Sequence, residues 1–196
     1  MKKKEKLVRL VMFALFMALI VIFTFTPYLG YITLGASISI TTLHIVVILG
    51  AAILKKPYYG AALGFIWGML CLIKAFMEPI MANVPFQNPL VSVLPRVVVG
   101  LVASLLIGVL LNTKLPTAVS VGIGSLVATL TNTVLVISAL TIFNGFDTLL
   151  AGIKTSLTTI ITVLIGVNGI IETVAAVILV PAIYIATEKF FKKQTK

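Results

Sequence analysis

Long apolar stretches, each about as long as a lipid bilayer is thick, constrain this chain more than any other feature. They are separated by short breaks that contain proline, glycine, asparagine or lysine. A transmembrane helix needs about 20 apolar residues, because each residue adds about 1.5 Å of rise and the hydrocarbon core is about 30 Å thick. With 60% hydrophobic and 10% charged residues, the chain is too apolar for an ordinary soluble domain. The sequence therefore predicts a helical membrane protein.

The breaks divide the sequence into six predicted spans in a single domain that covers residues 1–196. The predicted fold is an all-α membrane protein, a bundle of six transmembrane helices. Residues 27–36 and 76–89, between spans, are predicted to be outer loops. The predicted helices cover about residues 7–26, 37–54, 58–75, 90–111, 117–143 and 155–190.

The positions of the basic residues predict the orientation of the bundle. With six spans, 12 of the 15 lysines and arginines fall on one side, at the two chain ends and in the breaks near residues 55 and 114. Short cytoplasmic loops are rich in lysine and arginine, so both termini are predicted to be cytoplasmic. The net charge of +10 then follows from topology, and no nucleic-acid partner is expected. The expected location is a prokaryotic plasma membrane, crossed several times.

Arg96 is the most unusual residue of the predicted spans. An arginine at hydrocarbon depth costs roughly 2.5–3.5 kcal/mol on insertion scales, and such a cation usually has a partner, a watery cavity or an anionic ligand. Arg96 follows Leu90 by six residues, so we expect it about 9 Å from the outer end of the fourth helix. The question that Arg96 poses is what it binds.

Other polar side chains of the spans are predicted to lie in the outer half or the middle of the bundle. Helix rise places His44 about 10 Å and Asn132 about 16 Å from the outer end. Asn168 and Glu172 are one turn apart on one face of the sixth helix. The cytoplasmic halves are nearly aliphatic, so the pattern predicts an outward-facing solute pocket. The candidate substrate-binding residues are Arg96, Asn132, Asn168, Glu172, His44, Asn88 and Thr42.

Several of these residues also have a purely structural interpretation. Arg96 and Glu172 can form an ion pair that joins two helices, with or without a ligand. His44 can be a packed histidine, and Asn132 can join helices by a hydrogen bond worth about 0.6 kcal/mol. Trp67 is expected to anchor the core rather than to stack on a ligand. The sequence leaves these alternatives open.

Two small-residue patterns allow helices to approach closely. Ala14 and Ala18 share one face of the first helix, and Gly60, Gly64 and Gly68 repeat the same spacing in the third. Such patterns are typical of packing inside a bundle. On an outer face they would form a docking surface.

Missing motifs argue against catalysis by this chain. The sequence has no P-loop, no H-E-x-x-H motif, a single aspartate and a single cysteine, Cys71. An intramembrane enzyme would have to use His44, Arg96 and Glu172 alone. We therefore predict that the chain is not an enzyme and binds no metal or cofactor. The alternatives to a solute-binding protein are an intramembrane enzyme and a scaffold subunit.

The sequence resembles a known family over essentially its whole length. The residues that carry the resemblance are the Ala14-x-x-x-Ala18 motif, the stretch 38–45 with Gly50-Ala51, the stretch 59–64, the stretch 86–96 that ends in Pro95-Arg96, Asn168 to Glu172, and 180–182. Together with six helices in about 190 residues, they are similar to the substrate-binding S components of energy-coupling factor (ECF) transporters. Within that family the resemblance is to the pantothenate type.

The resemblance implies a function and a set of partners. S components bind a vitamin from outside, dock on a membrane-embedded T component through the alanine face of helix 1, and topple to release the vitamin inside. Two cytoplasmic ATPase subunits use the ATP. Ala14 and Ala18 match the docking motif. Pantothenate would present one carboxylate to Arg96 and its amide and hydroxyls to Asn132 and Asn168. Pyridoxine or hydroxymethylpyrimidine, riboflavin and folate are the alternative vitamins.

Overall fold

Helices account for most of the structure. The computed structural model describes residues 2–26, 29–34, 38–78, 83–143 and 169–194. The α-helices within these ranges are α1 (Lys2–Phe25), α2 (Leu43–Leu54), α3 (Pro57–Met77), α4 (Pro89–Ser92), α5 (Leu94–Leu110), α6 (Thr117–Ile142) and α7 (Ile170–Gln194). A short 3-10 helix covers Val84–Gln87.

The described helices confirm the predicted class. Five spans of this part of the chain are long and apolar enough to cross a membrane, with α4 and α5 counted as one, and α2 is a shorter apolar helix. This arrangement is consistent with six helices. The predicted start of the sixth helix, near residue 155, lies outside the described residues, and α7 is described from Ile170 to Gln194.

The start of the second helix was predicted wrongly, because a β-hairpin precedes α2. Strand β1 (Tyr31–Leu34) pairs antiparallel with β2 (Ile38–Thr41), and the predicted helix 37–54 begins only at Leu43. The backbone N–H of Thr42 extends the ladder by donating to the carbonyl of Gly30 at 3.0 Å. Isoleucine and threonine are β-branched and favour a pleated strand. Hydropathy alone could not distinguish these apolar strand residues from the first turns of a span.

Helix α2 lies at the centre of the bundle. Its residues from Leu43 to Ala52 are buried on all sides, in contact with the other long helices. Twelve residues span about 18 Å, which is less than the thickness of a bilayer core. The hairpin covers the remaining distance at one end of the bundle.

The two ends of the bundle differ in charge. Lys55 and Lys56 lie in the turn between α2 and α3, and Lys114 lies in the turn between α5 and α6. The Lys55 ammonium is 5.9 Å from the ring of Tyr184, so the C-terminal half of α7 lies at the same end. We call this end the basic end. The opposite end carries the hairpin and residues 83–93, and we call it the hairpin end.

The small-residue patterns of α1 and α3 have different surroundings. Gly60 and Gly64 face α5, and Gly68 faces Ser92 and Val93, all with no room for a side chain, which confirms packing inside the bundle for this stripe. On α1, Phe16 is buried in the core whereas Ala14 and Ala18 are exposed. The alanine face is therefore available to a neighbour within the membrane.

Candidate functional site

Pro95 leaves a backbone carbonyl free for the guanidinium of Arg96. In an α-helix the carbonyl of residue 91 would accept the N–H of residue 95, and proline has no N–H. The carbonyl of Val91 is thus left without its helical donor. Arg96 Nη1 donates to this oxygen at 2.8 Å. The short break at Val93, between α4 and α5, lies beside this contact.

Two aromatic rings flank the guanidinium. Arg96 Cζ lies 5.4 Å from the centroid of the Trp67 ring and 5.4 Å from that of Phe86. A cation within about 6 Å of an aromatic face is attracted by the ring quadrupole. Arg96 is only 8% exposed, and its buried Nε has no hydrogen-bond partner. The site therefore holds a desolvated cation that retains an unused donor.

The segment that carries Phe86 is fastened to the bundle by side-chain hydrogen bonds. Gln87 Nε2 donates to the carbonyl of Ala75 at 3.1 Å, and the Ser92 hydroxyl donates to the carbonyl of Phe86. Asn88 Oδ1 accepts the N–H of Leu90 at 2.9 Å and so caps α4. These bonds hold the Phe86 ring over Arg96.

Glu172 lies in the first turn of α7, where it meets the hairpin. The backbone N–H of Thr41, the last residue of β2, donates to Glu172 Oε1 at 2.6 Å. Glu172 is 8% exposed. The hydrogen bonds of the Glu172 and Arg96 side chains go to Thr41 and Val91 instead of to each other.

His44 is the second residue of α2. It therefore lies closer to the start of its helix than the predicted distance of about 10 Å, because the hairpin takes the place of the first turns of the predicted second helix. The imidazole is 1% exposed, and neither ring nitrogen makes a hydrogen bond of acceptable geometry. The carbonyls of Thr41 and Glu172 lie nearby. His44, Thr41 and Glu172 therefore form one polar group beneath the hairpin.

Other predicted residues have different surroundings. Thr42 belongs to the hairpin base, where its hydroxyl donates to the carbonyl of Leu29. Asn132 is half-buried in α6, and its Oδ1 is buried without a partner. Asn168 lies outside the described residues. Binding by these side chains, and by Asn88, stays a prediction.

Sequence reasoning missed the aromatic side of this site. Trp67 was predicted to anchor the core, and it does so at 1% exposure, but its ring also faces Arg96. Phe86 was not singled out. The signal that could have identified Trp67 is its position three residues after Gly64, on the face that meets α5. Two buried threonine hydroxyls without partners lie on α6 and α7, at Thr129 and Thr173.

The arrangement suits the binding of a small polar anion. It offers a cation between rings, a carboxyl group that accepts hydrogen bonds, and buried donors and acceptors without partners. Within the described ranges, no group of three or more His, Cys, Asp or Glu side chains could hold a metal ion. The fold and this site define a multi-pass membrane protein with a polar cluster buried at one end of a helix bundle.

Comparison with known proteins assigns the chain to a family. Residues 8–184 match the family described as ECF transporter, substrate-specific component. The chain belongs to this family, as its sequence motifs predicted. It is a multi-pass protein of the cell membrane that takes part in transport.

Two bacterial relatives are similar over nearly their whole length. The chain is 36% identical over 184 residues to the pantothenate transporter PanT of Leuconostoc mesenteroides subsp. mesenteroides, with 89% of each chain covered. It is 27% identical over 201 positions to the pantothenic acid transporter PanT of Lactococcus lactis subsp. cremoris, covering 95% of this chain and 97% of the relative.

Proposed function

We propose that this chain is the substrate-binding S component of an ECF transporter for pantothenate, with Arg96 as the anchor of the vitamin's carboxylate. The observation that carries the proposal is the buried guanidinium between Trp67 and Phe86, whose Nε has no partner. An arginine can bind a carboxylate with two parallel, charge-assisted hydrogen bonds. The pantothenate relatives support this choice among anionic solutes.

The other polar groups suit the remainder of the vitamin. Pantothenate has an amide and two hydroxyls besides its carboxylate. Glu172 and His44 lie beneath the hairpin and can accept or donate hydrogen bonds to hydroxyls. Asn132 in α6 and the predicted Asn168 can serve the amide. The aromatic rings around Arg96 keep water from the ion pair, which strengthens it.

The proposed transport cycle needs partners that supply energy. The chain binds no cofactor and is not an enzyme, and two ATPase subunits use ATP in its place. The exposed Ala14 and Ala18 face docks on the T component, and toppling of the bundle turns the hairpin end toward the cytoplasm. In this topology the basic end and both termini are cytoplasmic.

Binding of the purified protein to pantothenate, measured by isothermal titration calorimetry, tests the proposal. A hydrogen bond to a charged group contributes about 1.5–3 kcal/mol, so Arg96→Ala should weaken binding about 10–150-fold. Arg96→Lys keeps the charge but loses the planar pair, and we expect an intermediate loss. Arg9→Ala, at the basic end, is the matched control and should bind normally.

The choice of substrate and the role of Arg96 can be refuted separately. Wild-type protein that binds no pantothenate refutes the substrate. Normal binding by Arg96→Ala refutes the anchor and leaves the substrate standing. Panthenol, in which an alcohol replaces the carboxylate, should bind more weakly than pantothenate to the wild type and about equally to wild type and Arg96→Ala.

A further inference from the structure

Helices α3 and α5 meet backbone to backbone along the glycine stripe of α3. A β-carbon on Gly64 would overlap the carbonyl oxygen of Arg96 and lie 2.8 Å from its carbonyl carbon and 3.0 Å from Val97 Cα. A β-carbon on Gly68 would lie 2.7 Å from Val93 Cα. A side chain at either position would push the two backbones apart, because the obstacles are backbone atoms that cannot rotate away.

The glycines of the stripe meet successive positions of the segment that contains α4 and α5, and Gly68 meets Ser92 and Val93. Gly64 meets Arg96 itself, whereas Gly60 meets Gly100 and Ser104, one turn farther from the site. A close backbone contact with α5 therefore occurs at two of these glycines, once at the guanidinium-bearing residue and once away from it. This makes Gly60 an internal reference for Gly64.

The close approach at Gly64 also sets the distance between Trp67 and Arg96. Trp67 follows Gly64 by three residues and so lies on the same face of α3. Its ring lies 5.4 Å from the Arg96 guanidinium, and the two backbones touch one turn away. Arg96 is nine-tenths buried and its Nε lacks a partner, so its direction depends on these neighbours and on Val91.

We propose that Gly64 is a positioning residue for anion recognition, because it seats the backbone of Arg96 against α3 and so places the guanidinium over Trp67. The consequence is specificity for a substrate with a charged carboxylate over its neutral analogue. This inference rests on the proposed function and assigns the charge selectivity of the site to a residue that does not touch the ligand.

The test is the ratio of the dissociation constants for panthenol and pantothenate, since a general loss of stability changes both constants alike. Gly64→Ala should lower this ratio at least fivefold, mainly through weaker pantothenate binding. Gly60→Ala should cause a similar fall in melting temperature and leave the ratio within twofold of the wild type. An unchanged ratio in Gly64→Ala, or an equal change in Gly60→Ala, overturns the proposal.

Substitutions of Trp67 provide a second test that leaves the helix contact intact. Trp67→Leu should lower the ratio, and Trp67→Phe, which keeps a ring face, should retain more of it. If Gly64→Ala does not yield folded protein, a wild-type ratio in Trp67→Leu overturns the proposal. If Arg96→Ala lowers the ratio while Gly64→Ala and Trp67→Leu do not, the anchor stands and only the positioning role fails. If wild-type protein does not bind pantothenate, the proposed function itself fails.

Discussion

Pro95 and Arg96, adjacent in the sequence, act on one carbonyl oxygen. Pro95 cannot donate to the oxygen of Val91, and Arg96 Nη1 donates to it instead, at 2.8 Å. A proline near the start of a helix destabilises the helix little. The unpaired carbonyl can therefore bind a guanidinium with little loss of stability. The dipeptide is a local device that fixes the direction of a buried cation.

Pro95→Ala should weaken this device. An alanine N–H can donate to the Val91 oxygen within the helix, and it would compete with the guanidinium. We expect about tenfold weaker pantothenate binding, which is about 1.4 kcal/mol, with a stability change within about 1 kcal/mol. Calorimetry and thermal melting measure the two effects. Pro89→Ala, at the start of α4, removes another helix-start proline and should bind normally; equal losses in both variants would contradict the role of Pro95.

Glu172 should hold the hairpin onto α7. Its carboxyl group accepts the Thr41 N–H at 2.6 Å, and an intramolecular hydrogen bond contributes about 0.5–1.5 kcal/mol. Glu172→Ala should therefore speed hydrogen exchange of the Thr41 amide by about 2–13-fold, and Glu172→Gln, which keeps an acceptor oxygen, by less. Glu78→Ala, which removes an exposed carboxylate at the end of α3, is the control. Unchanged exchange at Thr41 in Glu172→Ala would show that this hydrogen bond does not hold the hairpin on α7.

The exposed alanine face of α1 should be required for transport but not for binding. Ala14→Trp and Ala18→Trp place a bulky ring where a close helix approach is proposed. We expect loss of uptake by the reconstituted transporter and loss of co-purification with the T component, while pantothenate affinity stays within twofold. Leu105→Trp, at a 47% exposed position on α5, is the control and should assemble. Weaker pantothenate binding in both alanine variants would instead indicate a structural role for this face.

The orientation of the bundle can be measured by cysteine labelling. After Cys71→Ala, which removes the single cysteine, cysteine is introduced at Lys114 or at Glu78, two exposed positions at opposite ends. Because the basic end is proposed to be cytoplasmic, an impermeant maleimide added to intact cells should label Glu78→Cys and not Lys114→Cys. The reverse pattern would invert the proposed topology.

The sequence predicted the location of most helices because the bilayer imposes one length on every apolar span. The prediction failed at the hairpin, where Ile38 and Ile40 belong to strand β2 and not to the first turns of a transmembrane helix. Hydropathy reports burial and does not report which backbone hydrogen bonds satisfy the buried groups. The second helix is consequently shorter than predicted, and His44 lies in its first turn.

The sequence predicted the charged residues of the candidate site but not their partners. Arg96 and Glu172 could be identified because charges are rare in apolar spans. Their partners could not, since Arg96 bonds a carbonyl freed by Pro95 and Glu172 accepts a backbone N–H from a strand. Backbone groups are the same in every residue except proline, and their availability depends on the fold.

By itself, the sequence determined a helical membrane protein with one costly cation in it, because the bilayer penalises every other arrangement of such a chain. Its motifs also determined the family. Only the tertiary structure decided what surrounds the cation, because the rings of Trp67 and Phe86 reach Arg96 from separate segments. That convergence depends on the distance between α3 and α5, which the backbone contact at Gly64 sets.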